Sequence, residues 1–144
     1  MLKLEIITPD GPVFEGDADS ISLPTPDGEI TVLPHHIPLM SIVVPGSMLV
    51  RRGSEELIFA VTRGVIEVDG TTVRVLAESA DPAERLAEET AIIQAKERAE
   101  TLVAERRGDA EGFAEATAIL EKELSRLTTV RRHRARRGLP PRSS

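Results

Sequence analysis

The sequence predicts an antiparallel β-sandwich of short strands followed by an antiparallel two-helix hairpin, with the change at Asp81-Pro82. Seven of the ten prolines and seven of the ten glycines lie before that point, between short runs rich in Val, Ile and Leu. After it the chain turns to Ala, Glu, Leu and Arg, with no proline again until Pro140. Proline and glycine punctuate strands and are avoided inside helices, so the shift in composition marks a shift in structure.

Each element has its own warrant. Leu2-Lys-Leu-Glu-Ile-Ile7 alternates as a strand and stops at Thr8-Pro-Asp-Gly-Pro12, whose proline and glycine favour a turn. Ala18–Leu23 alternates again, and Glu29–Leu33 is bounded by Pro26-Asp-Gly28 and Pro34. Leu39–Val44, Ser47–Arg51, Leu57–Val61, Val65–Val68 and Thr72–Ala77 complete a set of about eight or more strands. Asp69-Gly70 between β-branched runs is a hairpin signal. With only Phe14 and Phe59 as aromatics in this half, aliphatic side chains must fill the core.

Asp81-Pro82-Ala-Glu84 reads as a helix start, with Asp81 as cap, Pro82 at the first position and Glu84 completing a capping box. Ile92, Ala95, Ala99, Leu102 and Val103 then share one helical face. Gly108 is expected to end this helix in the left-handed conformation, and Asp109 to cap the next. Phe113, Thr117, Leu120, Leu124 and Leu127 form a second stripe. Alanine dominates the first stripe, so the hairpin packs through a thin contact and suits a movable element. The reading divides the chain into a docking sandwich (1–80), a movable hairpin (81–134), regulatory by the resemblance given below, and a basic, disordered tail (135–144).

Charge divides the chain again. Residues 1–125 carry 24 acidic against 11 basic side chains, or −13, whereas residues 126–144 carry seven arginines and no acid. Such a tail attracts an acidic partner, whether protein, nucleic acid or anionic lipid, although cations also favour a helix C-terminus for local reasons. Nucleic acid is the poorer fit: the tail has no interleaved aromatics, and the acidic body repels phosphate. A standalone nucleic-acid-binding module is therefore the alternative reading.

The chain lacks the patterns of an enzyme. It has no cysteine, hence no disulfide and no thiolate chemistry. His35 and His36 are adjacent, and on extended backbone they point to opposite faces, a poor arrangement for chelation. Nucleophile elbows and glycine-rich phosphate loops are missing. No catalytic residue, metal ligand or cofactor site is expected. No apolar run approaches the length of a membrane span, and the N-terminus lacks a signal-peptide pattern. Gly28–Pro38, a short strand and loop stiffened by prolines, is the segment best shaped for a protein contact, with an ordinary sandwich corner as the other reading.

The ordered stretches "LKLEIITPDGPVFEGDADSISLPTPDGEI", "DGEITVLPHHIPLMSIVVPGSMLVRRG", "VTRGVIEVDGTTVRVLAESAD" and "DAEGFAEATAILEKELSRLTTVRR" together resemble the epsilon subunit of bacterial rotary ATP synthases over nearly the whole chain. The resemblance implies a ten-stranded sandwich with two C-terminal helices. It also implies a non-catalytic rotor subunit of a proton-translocating enzyme, peripheral at the cytoplasmic face of the plasma membrane. Its partners would be the gamma subunit, the c-ring and the alpha/beta catalytic head, with membrane contact only through the c-ring. By motif match Gly28, Glu29, Pro34, His36 and Pro38 would face the c-ring and the foot of gamma. The C-terminal helices would move between a folded and an extended position, the latter restraining ATP hydrolysis. Arg126, Arg131 and Arg132 would then meet an acidic segment of the beta subunits.

The chain also departs from the family pattern. Thr31, His35 and Arg63 stand where glycine is common, which restricts the backbone there. The nucleotide motif of some members, Ile/Leu-Asp-x-x-Arg-Ala, corresponds to Ala87-Glu-Glu-Thr-Ala-Ile92, which lacks its arginine. No ATP binding is expected.

Overall fold

The computed structural model describes residues 1–138 and contains ten strands, one 3-10 turn and two helices. The strands are β1 Leu2–Thr8, β2 Gly11–Ala18, β3 Ser20–Thr25, β4 Gly28–Val32, β5 Leu39–Val43, β6 Gly46–Arg52, β7 Glu55–Val61, β8 Gly64–Val68, β9 Thr72–Ala77 and β10 Ala80–Pro82. The turn Ala83–Arg85 leads to α1, Glu89–Glu105, and α2, Ala110–Arg136. Two five-stranded sheets face each other, ordered β2-β1-β9-β8-β5 and β10-β7-β6-β3-β4. Every pairing is antiparallel except β1 with β9.

Period-two alternation builds the core. Leu2, Leu4 and Ile6 of β1 point inward and are fully buried, as are Val73 and Val75 of β9 and Ile66 of β8. Ile21, Leu23, Val32, Met48, Val50 and Val61 answer from the second sheet. Phe14 meets Phe59 edge-on, with ring centroids 5.9 Å apart. Small residues then let the β8–β9 corner close. A Cβ on Gly64 would stand 1.9 Å from the Leu76 carbonyl oxygen, so only glycine fits. The expected Asp69-Gly70 hairpin forms, with Thr72 N–H donating to Asp69 Oδ1 at 2.9 Å and Gly70 at φ 97°.

Four local expectations are corrected. Gly11–Ala18 forms an edge strand against β1, where Pro12 costs no interior ladder bond. Asp81-Pro82 does not start a helix: it belongs to β10, whose pairing with Ala60 and Phe59 of β7 outweighs the local capping chemistry. The first long helix begins only at Glu89, after a single 3-10 turn. Gly108 does not adopt positive φ, and Asp109 holds the N-cap position of α2 without a side-chain cap bond. At the other end α2 continues through Arg136, past the expected start of the tail; residues 139–144 lie outside the described residues.

Of the three positions where glycine is common, only His35 takes the left-handed conformation, at φ 66°. Thr31 sits in the regular β4 ladder opposite Ser22, and Arg63 has ordinary backbone.

Candidate partner interfaces

The outer faces of the two sheets differ in kind. Ile7, Leu76, Val65 and Ile42 are register neighbours across β1, β9, β8 and β5, and all four point away from the core. Leu76 and Ile42 are exposed, Ile42 at 59%, and Met40 beside them on β5 is exposed at 70%. Ile37 and Leu33, in the loop before β5, are also open to solvent. Exposed apolar rows of this kind, on an otherwise acidic body, are commonest at interaction surfaces. Sequence reading missed it, although Leu39-Met-Ser-Ile-Val43 carries the signal: apolar residues on both faces of one strand.

The second sheet is covered on its outer face. The hairpin lies there through α2, which packs on β6 and β7. Leu49 and Ile58 meet Ala83 of the 3-10 turn in a small apolar cluster. The sandwich-facing stripe of α2 is otherwise polar. The buried Ser125 hydroxyl lies 2.8 Å from both the Gly46 and the Val61 carbonyl oxygens, which share its one proton. Arg126 reaches Asp81 of β10 at 3.3 Å and Glu123 of its own helix at 3.1 Å. Arg132 donates to Ser47 Oγ at 2.9 Å and pairs with Glu29 at 3.1 Å. Arg136 pairs with Glu56 at 2.6 Å. Arg63 grips Glu121 through two bonds of 2.9 and 2.6 Å, and those hydrogen bonds, with the Glu121 charge, push its pKa upward. Within the hairpin, Arg131 of α2 pairs with the buried Glu89 of α1 at 2.6 Å.

The structure thus brings together two residue sets that the sequence kept apart. Glu29, from the Gly28–Pro38 segment, is a direct partner of Arg132. Gly28, at φ 114°, opens β4. Pro34, His36 and Pro38 sit in the loop between β4 and β5, where His36 N–H donates to the Leu33 carbonyl at 3.1 Å and His35 N–H to that of Gly70 at 3.0 Å. The His36 ring nitrogen Nδ1 donates to the Ile37 carbonyl at 2.8 Å, which holds the ring against its own loop. In the conformation seen here Arg126, Arg131 and Arg132 all have internal carboxylate partners.

A cavity of about 310 Å³ opens between the linker and the hairpin, lined by Asp81, Arg85, Leu86, Ala87, Ala91, Ile92, Ala95, Glu123 and Arg126. It includes part of the stretch corresponding to the nucleotide motif. The Arg126 guanidinium faces two carboxylates there, Asp81 and Glu123, which more than offset its charge.

Comparison with known proteins decides what this architecture belongs to. Residues 1–83 match the ATP synthase, Delta/Epsilon chain, beta-sandwich domain. The chain belongs to the ATP synthase epsilon family. It is 41% identical over 99 residues to the ATP synthase epsilon chain of Halalkalibacterium halodurans, covering 69% of this chain and 74% of that one. With the epsilon chain of Alkalihalophilus pseudofirmus it shares 37% over 100 residues, again 69% and 74%. Among solved structures, a chain of the Euglena gracilis mitochondrial ATP synthase superposes with a TM-score of 0.71 at 20% identity, over 86% of this chain and 78% of that one. That last likeness is one of fold. As a family member this is a central-stalk subunit of a rotary ATP synthase and not a catalytic one. No helix among the described residues is long and apolar enough to cross a membrane.

Proposed function

We propose that this epsilon chain couples the gamma subunit to the c-ring and restrains ATP hydrolysis through its hairpin, working at the cytoplasmic face of the plasma membrane in a proton-translocating enzyme. The observation that carries the reading is the contrast between the outer faces of the sandwich. The apolar row of Ile7, Leu76, Val65 and Ile42 remains open for a permanent partner, and gamma is the partner it fits. The β4 edge and the Gly28–Pro38 segment face the c-ring and the foot of gamma. The opposite face carries a hairpin held largely by polar contacts, which suits an element that leaves. Once extended into the alpha/beta head, Arg126, Arg131 and Arg132 exchange their internal carboxylates for an acidic segment of the beta subunits.

The test is co-purification of the full chain and of a form ending at Leu86 with gamma of the same organism. That cut preserves β10 and Ala83, which complete the sandwich. Equal one-to-one complexes support the sandwich as docking body. Loss of gamma binding by both proteins removes the rotor reading.

A further inference from the structure

The stripe of α2 that faces the sandwich runs Glu121, Ser125, Thr129, Arg132, Arg136, at spacings that keep these residues on one side of a helix. None of the five is apolar. Thr129 is fully buried, and its hydroxyl has no hydrogen-bond partner among the described residues. A buried helix face is normally aliphatic, and a buried hydroxyl without a partner weakens the state that buries it. Besides the Ser125 hydroxyl, what holds this face is charge: Arg63–Glu121, Arg126–Asp81, Arg132–Glu29 and Arg136–Glu56 all cross from helix to sandwich. These pairs are partly exposed. The Arg132 side chain is 24% accessible and that of Glu29 47%, so salt and outside cations can reach them.

We propose that this stripe and its carboxylate partners form an ionic latch that sets how readily the hairpin leaves the sandwich. The inference rests on the mobile hairpin of the functional proposal. It adds which residues hold the closed state.

The full chain has no cysteine, so Asp17→Cys and Glu105→Cys place one fluorophore on β2 and one at the end of α1. Energy transfer between them reads the closed fraction while sodium chloride is raised from roughly 0.01 to 1 M, across which the screening length falls from about 30 to about 3 Å. Salt is expected to open the hairpin while far-UV circular dichroism keeps its strand and helix signal. Glu29→Gln and Glu56→Gln should each raise the opening constant roughly two- to fivefold at low salt, as expected for partly exposed pairs. Glu100→Gln, which removes the same charge from a pair internal to α1, should leave it unchanged. Thr129→Val should close the hairpin further. Opening that ignores salt and both latch substitutions would overturn the proposal, as would equal effects of Glu100→Gln and Glu29→Gln. The same variants in the reconstituted enzyme separate the two ideas: a hairpin that opens as described without changing ATP hydrolysis leaves the latch standing and removes the regulatory reading.

Discussion

The two buried surfaces of this protein are built from opposite materials. Inside the sandwich, Leu2, Leu4, Ile6, Ile66, Val73 and Val75 are fully buried with no polar neighbour required. Beneath α2 the buried groups of the helix's sandwich-facing stripe are Ser125 and Thr129, flanked by partly exposed ion pairs such as Arg132–Glu29. Aliphatic packing contributes stability that salt does not screen, whereas partly exposed ion pairs contribute little each and weaken with ionic strength. That difference is the physical ground for proposing a permanent joint inside the sandwich and an opening one beneath α2.

The largest effect should come from the core. Ile66→Ala leaves a cavity between the sheets and is expected to cost about 2–5 kcal/mol in denaturant unfolding, equally at low and high salt. A strong salt dependence of that loss would break the contrast. Next comes the open apolar row. Ile42→Asp with Leu76→Asp should leave the thermal midpoint nearly unchanged yet weaken gamma binding by about 2 kcal/mol or more, measurable by titration calorimetry. Unaltered affinity would place gamma elsewhere. Ser125→Ala removes the hydroxyl bonded to the Gly46 and Val61 carbonyls and should cost about 1–2 kcal/mol of hairpin docking. Amide exchange should show that loss in α2 and the covered β6–β7 face while the interior ladder stays protected. The smallest effect sharpens the sandwich alone. His35→Gly relieves a left-handed residue and should raise sandwich stability by no more than about 1 kcal/mol.

Proton linkage through Arg63 falls far from neutrality. The pKa of Arg63 is raised in the folded state, so its contribution is fully present below its unfolded value. It is lost only as pH climbs through the strongly alkaline range. Titrating from pH 6 to 9 (roughly the neutral range) should therefore leave the Arg63–Glu121 tie in place.

Legibility in the sequence followed the same division. The central strands announced themselves because alternation and turn residues are local signals, and Asp69-Gly70 marked its hairpin outright. Of the four edge strands, β4 and β5 were legible in the same way, but β2 and β10 were not. Gly11–Ala18 contains Gly, Pro and Asp, and becomes a strand only because β1 offers a ladder. Ala80–Pro82 carries helix-start chemistry that pairing with β7 overrides. For the interfaces, the arginine cluster and the Gly28–Pro38 segment stood out by composition. Their meeting at Glu29–Arg132 did not, since it joins residues about a hundred positions apart and depends on how α2 lies across the second sheet. The apolar row crosses four strands and exists only once register is set.

The most direct test of the central claim is ATP hydrolysis by the enzyme reconstituted with either the full chain or the form ending at Leu86. If the sandwich docks and the hairpin regulates, both forms will be retained on the complex in equal amount, and the truncated one will hydrolyse ATP faster. Equal hydrolysis at equal occupancy would contradict a regulatory hairpin, and failure of the truncated form alone to be retained would contradict a self-sufficient docking sandwich.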